Sequence, residues 1–311
     1  MNTVEFDMAS TYRWIYLTIE FISGIFQLSM LIFFFYMQIR RRGFYRYPYY
    51  VLLTLYMIAD SPRFIGVVID FWLPDSGFKA DFLKWFHLYF WFDMVFASFC
   101  QLGIGTNRLT AVLYPMRHVF FWSRTTTAII CFGVILASSL SIFIVKVVFN
   151  ADAGSLFALC VVLSLTTLTI CIYTTTRTMC LKKNTYSIIS SIPRIKMEKN
   201  LLQQALFTNL NCILYFLCVQ LDKMDIELTL FSSREVESYF FKFLQLFFFT
   251  LEHFGSLVFL LMMSQSVRNE YVAFYSFRSV REKCTHDNEV TAQPVKALWV
   301  PLAVSIPFRF S

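Results

Sequence analysis

Seven times along this chain a stretch of about 20 residues passes with almost no charge, and a helix of that length, rising about 1.5 Å per residue, crosses a hydrocarbon layer of about 30 Å. The runs lie at 14–38, 49–72, 86–112, 126–149, 155–176, 201–221 and 240–263. In lipid, backbone amides must be satisfied within their own segment, so the reading is an all-α bundle of seven transmembrane helices. Composition agrees: 57% of residues are hydrophobic, 37 are Phe and only 15% are charged, which does not suit a water-facing surface. The sixth run is the weakest, diluted by Gln203, Gln204, Asn209, Asn211 and Gln220.

Basic residues are retained on the cytoplasmic side of a membrane, so their distribution sets orientation. Connections one, three and five and the segment 264–283 after run seven hold sixteen Lys and Arg, among them Arg40, Arg41, Arg42, Lys182 and Lys183. The alternate set holds only Arg13, Lys79, Lys84, Lys223 and Arg234, with acids beside them. An outside N-terminus and a cytoplasmic C-terminus follow. The net charge of +7 is then explained by topology and attraction to anionic inner-leaflet lipid, with no nucleic-acid partner required.

No basic region precedes the first run, where Glu5 and Asp7 stand, so that helix is expected to act as its own insertion signal. The eight Cys fall within or beside apolar runs and read as small core residues, not as a disulfide framework. No linker divides the chain, which is read as one bundle, 1–263, followed by a cytoplasmic tail, 264–311. The connection NADAG, 150–154, demands a tight hairpin. The fifth connection can extend its flanking helices, with a break at Pro193. In the tail, MSQSVRNEYVAFYSFRSVREK has apolar residues near helical spacing and suits a short helix along the inner membrane surface.

An ionisable residue inside a span costs about 2.5–3.5 kcal/mol on insertion scales and is a functional-site candidate for that reason. Asp60 and Arg63 are three apart in run two and can pair across one turn. Asp93 falls in the outer half of run three, and Glu252 and His253 near the middle of run seven. Neighbours on a helix point about 100° apart, so only one of those two is expected to face a given cavity fully. Lys146 and Lys242 lie near span ends, where snorkelling suffices.

Enzyme chemistry finds no foothold. The four histidines, 87, 118, 253 and 286, are spread over different depths, so no metal site is expected from them. No Gly-rich phosphate loop, Cys-x-x-Cys pair or nucleophile elbow occurs, and no cofactor is implied. A transporter or channel is the alternative, since transport pathways also use sparse intramembrane charges. Against it, seven spans do not divide into two equal halves.

The stretch GTNRLTAVLYPMRHVFFW, 105–122, carries the most specific signal. Asn107, Arg108, Thr110 and Val112, followed by Pro115, His118 and Trp122, resemble the signature of nematode serpentine chemoreceptors of the Srg superfamily, of the srg or srv class. FYRYPYYVLL at the start of run two is similar as well. The resemblance implies a GPCR-like receptor in the plasma membrane of chemosensory neurons that detects a small molecule and signals to a heterotrimeric G protein. By it, Asn107 and Arg108 replace the acidic-Arg-aromatic triplet of rhodopsin-like receptors, with a neutral Asn where the acid stands. Pro115, His118 and Trp122 complete the coupling motif, and Asp60, Arg63, Asp93, Glu252 and His253 are the candidates for a ligand pocket.

Overall fold

In the computed structural model of the chain, residues 8–40, 48–72, 77–114, 117–148, 153–184, 193–223 and 234–276 are described, and among them every regular element is helical. The elements are α1 (Met8–Ile39), α2 (Pro48–Trp72), α3 (Gly77–Leu113), α4 (His118–Phe121), α5 (Arg124–Phe143), α6 (Ala153–Asn184), α7 (Pro193–Lys223), α8 (Arg234–Thr250), α9 (Ser256–Met263) and α10 (Gln265–Tyr275). Two π-helical turns, Ile144–Val148 and Leu251–Gly255, interrupt the ladder, the first extending α5 and the second joining α8 to α9.

Seven helical segments are long and apolar enough to cross a membrane: Ser10–Ile39, Pro48–Trp72, Gly77–Leu113, Arg124–Lys146, Gly154–Thr178, Leu201–Asp222 and Val236–Met263. Each overlaps one run of the sequence reading. Span three begins at Gly77 rather than at 86, because Lys79, Asp81 and Lys84 mask a helix that continues past the apolar region; Lys79 reaches Asp70 of α2 at 3.5 Å. α6 continues to Asn184, and Pro193 opens α7 in the first turn, where its missing N–H has no intrahelical acceptor to lose. Of the NADAG connection, residues 150–152 lie outside the described residues, as do Pro115 and the chain from 277 onward.

α3 is the central helix, packed against α2, α5, α6 and α7. Its approach to α6 is close at Gly105, where an added Cβ would lie 3.2 Å from Thr167 Cγ2, so a small residue is required. Trp91, Met94 and Val95 of α3 join Leu156, Phe157 and Cys160 of α6, and Cys212 and Phe216 of α7, in an apolar core. α5 is peripheral and buries only Thr127, Val134, Ser138 and Ile142, while Ile129, Phe132 and Leu136 face outward. Trp14, Trp72 and Trp85, at the start of α1, the end of α2 and near the start of α3, are all exposed at one end of the bundle, where an aromatic belt meets the membrane interface.

Many of the hydroxyl and amide side chains inside spans bond to their own helix backbone. In α6, Thr166, Thr169 and Thr176 donate to the carbonyls of Val162, Leu165 and Ile172 at 2.7, 2.8 and 2.9 Å, which lets a Thr-rich helix face lipid. In α7, Gln204, Asn209 and Asn211 are turned inward, Asn209 and Asn211 donating to Ala205 and Phe207 at 2.8 and 2.7 Å. The weakness of the sixth run in sequence is therefore the mark of its inward face.

Candidate functional site

Two polar assemblies occupy the bundle interior. The first is at the end of α3 that carries Asn107 and Arg108, both buried. The Arg108 guanidinium lies over the ring of Tyr49 at 4.5 Å. Tyr49 is fully buried in the first turn of α2, and its hydroxyl donates to Gln204 Oε1 of α7. Gln204 Nε2 in turn donates to the Ser256 carbonyl of α9 at 3.1 Å. Arg108 is thus tied through an aromatic face and two amide-type hydrogen bonds to spans two, six and seven. The sequence reading singled out Arg108 but not Tyr49 or Gln204, whose only signals were the FYRYPYYVLL similarity and the dilution of run six.

Beyond Arg108 the rest of the motif folds back on α3. Trp122 Nε1 donates to Thr110 Oγ1 at 2.8 Å, and His118 Nδ1 stands 3.2 Å from the same oxygen. Ser123 caps α5 by accepting from the Thr126 amide at 3.2 Å. Thr110, His118 and Trp122 therefore form a clamp that pins the turn between spans three and four. Pro115 lies outside the described residues.

The second assembly is a cluster of ionisable groups near the middle of spans one, two, three and seven. Arg63 donates from Nε to Asp60 Oδ1 at 2.8 Å and from Nη1 to Glu20 Oε1 at 2.7 Å, and its guanidinium lies 4.3 Å from the Phe249 ring centroid. The expected Asp60–Arg63 pair is joined by Glu20, which the sequence reading passed over although it is the lone carboxylate of run one. Asp93, 1% exposed, stands with Asp60 and His253, and one donor atom of each lies within 4.8 Å of the others. The sequence reading expected no metal site, from the spread of the histidines over different depths; which carboxylates stand beside His253 is a matter of helix packing.

Glu252 and His253 are both buried and both reach this interior, contrary to the expectation that one would turn away. Gln101 Nε2 of α3 donates to Glu252 Oε1 at 3.0 Å, and His253 Nε2 lies 3.7 Å from Asp60 Oδ1. Both lie in the π-turn Leu251–Gly255, and they meet different neighbours, Glu252 a side chain of α3 and His253 one of α2. A cavity of about 460 Å³ lies near the start of α3, lined by Lys84, His87 and Trp91 of span three and Lys146 of span four among others.

The seven spans, with a buried arginine at one end of the third, define a serpentine membrane protein of the receptor type. Over residues 76–271 the sequence matches the family described as Srg family chemoreceptor, and the chain belongs to that family. This supports the srg class over srv, and it is a family of receptors, not of enzymes. The sequence matches no individual curated protein.

Proposed function

We propose that the chain is a chemosensory G-protein-coupled receptor of the plasma membrane, with its N-terminus outside, its C-terminus in the cytoplasm, a small-molecule ligand and a heterotrimeric G protein as partners. Residues 1–263 form the receptor bundle within membrane lipid and 264–311 the cytoplasmic tail. Catalysis has no part in this reading. The observation that carries it is the setting of Arg108, held on Tyr49 and through it on spans six and seven; the distribution of basic residues supports placing that end of span three in the cytoplasm. A ligand with greater affinity for an opened arrangement shifts the equilibrium toward it by that difference in affinity. Opening frees Arg108 from Tyr49 and offers it to the G protein, while the Thr110–His118–Trp122 clamp keeps the adjoining turn in shape. Asp60, Arg63, Asp93, Glu252 and His253 couple ligand occupancy to the relative placement of spans two, three and seven.

The test is Arg108→Ala in cells expressing the full chain, challenged with a chemical panel. Ligand-evoked G-protein activation is lost while surface expression is retained. Unaltered signalling in that variant overturns the role of Arg108. Ligand-evoked current that persists when G-protein signalling is blocked replaces the receptor reading with the channel or transporter reading.

A further inference from the structure

Where spans two, three and seven meet, four buried carboxylates, Glu20, Asp60, Asp93 and Glu252, share the interior with one guanidinium and one imidazole. Arg63 is committed to Glu20 and Asp60 at 2.7 and 2.8 Å, and Glu252 accepts from the neutral amide of Gln101. Among the described residues, Asp93 forms no ion pair with an arginine or lysine. An excess of negative charge this deep in a membrane protein is unstable unless a cation or protons join it.

The hydrogen bonding at His253 prepares it for the first of these. Its Nδ1 is 3.0 Å from the Phe249 carbonyl, an acceptor only, so Nδ1 carries the hydrogen. In the neutral ring Nε2 then presents a lone pair to the cluster. It stands 3.7 Å from Asp60 Oδ1, too long for a hydrogen bond, and has no hydrogen-bond partner. Asp60 Oδ2 and Asp93 Oδ1 are likewise without one, and Asp93 and His253 are 1% and 4% exposed. Asp60, Asp93 and His253, from three spans, each offer one ligand atom, and these atoms lie within 4.8 Å of one another.

We propose that Asp60, Asp93 and His253 form a binding site for a divalent first-row transition-metal ion of the zinc type. Bonds of about 2.0–2.2 Å from a common ion bridge a 3.7 Å N···O separation at an angle near 120°, compatible with zinc coordination. An imidazole donor favours such an ion over calcium or magnesium, which take oxygen ligands. The Nδ1 contact to a backbone carbonyl is the outer hydrogen bond that orients a metal-ligating histidine, and Arg63 serves Asp60 in the same way. Two carboxylates and a neutral imidazole match the charge of a divalent ion. The site ties spans two, three and seven together at mid-bundle, and the π-turn Leu251–Gly255 is what brings His253 into it.

The test needs neither a ligand nor a G protein, so its failure leaves the receptor reading untouched. The full chain is purified in detergent, stripped with chelator and titrated with cobalt chloride as a spectroscopic probe, then with zinc chloride as competitor. One cobalt per chain binds with visible ligand-field bands, zinc displaces it, and calcium or magnesium at equal concentration does not. Asp93→Asn and His253→Gln each weaken binding at least about 10-fold, and His87→Ala leaves it unchanged. Because a variant in this interior can misfold, X-ray absorption on the cobalt-loaded natural chain gives a second readout: one imidazole nitrogen with carboxylate oxygens. Binding far below one per chain, equal binding in both site variants, a loss in His87→Ala, or a spectrum without nitrogen and carboxylate ligation overturns the proposal.

Discussion

Replacing Arg63 by Met keeps a long flexible side chain and removes the one charge that Glu20 and Asp60 share. The hydrogen bonds lost, at 2.7 and 2.8 Å, involve charged groups on both sides, and such bonds contribute about 1.5–3 kcal/mol each. The guanidinium 4.3 Å above Phe249 adds on the order of 1–2 kcal/mol when desolvated. These gains are offset by the desolvation of the arginine itself, which the variant no longer suffers, so the net falls in the range of about 3–5 kcal/mol found when one partner of a buried pair is removed. At about 4 kcal/mol the unfolding equilibrium shifts by about three orders of magnitude. Unfolding of the detergent-solubilised chain by added sodium dodecyl sulfate, followed by tryptophan fluorescence with chelator present, measures it. The triple variant Arg63→Met, Glu20→Gln, Asp60→Asn recovers much of the loss, because neutral groups tolerate the same interior without a counter-charge. A single variant within about 1 kcal/mol of the natural chain, or a triple variant no more stable than the single, refutes this account of what holds spans one and two together.

The other predictions concern the Arg108 end of α3 and its packing. Tyr49→Phe keeps the ring under Arg108 but deletes the hydroxyl that reaches Gln204, so ligand-free G-protein activation rises in a nucleotide-exchange assay; an unchanged basal rate argues against the Tyr49–Gln204 tether as a resting-state lock. Thr110→Val leaves Trp122 Nε1, in a side chain only 9% exposed, without its acceptor and lowers stability by about 1–3 kcal/mol in the same unfolding assay; a change under about 0.5 kcal/mol dismisses the clamp. Gly105→Leu crowds α3 against Thr167, where a Cβ already comes to 3.2 Å, and lowers stability by about 1–3 kcal/mol. Gly133→Leu, whose Cβ meets nothing within 4 Å on the outer α5, stays near neutral; equal effects at the two glycines contradict the packing described.

The seven spans were legible because lipid permits one local solution, a helix with its amides satisfied internally, and apolar length reports it directly. Arg108 and its neighbours were legible through the spacing of 105–122, which is local in sequence and is folded locally into the Thr110–His118–Trp122 clamp. Asp60 and Arg63 were legible as a pair for the same reason, since three residues along a helix are neighbours in space. Glu20 was visible as a lone acid, yet nothing in its own run told which charge, 43 residues onward, it would meet. Tyr49 and Gln204 join only when α2 and α7 are brought side by side, a contact across 155 residues that no periodicity encodes. Glu252 and His253 show the limit most plainly, because the groups they meet, Gln101 and Asp60, lie on other spans, and the π-helical step that carries both is packed against α1 and α7. What the sequence determined by itself was therefore the number of spans, the residues that lipid would not accept unaided, and the local motif at the end of α3. The tertiary structure decided which of those unaccepted groups meet, because partners in a membrane bundle are chosen by helix rotation and crossing, and these follow from contacts between helices, not within them.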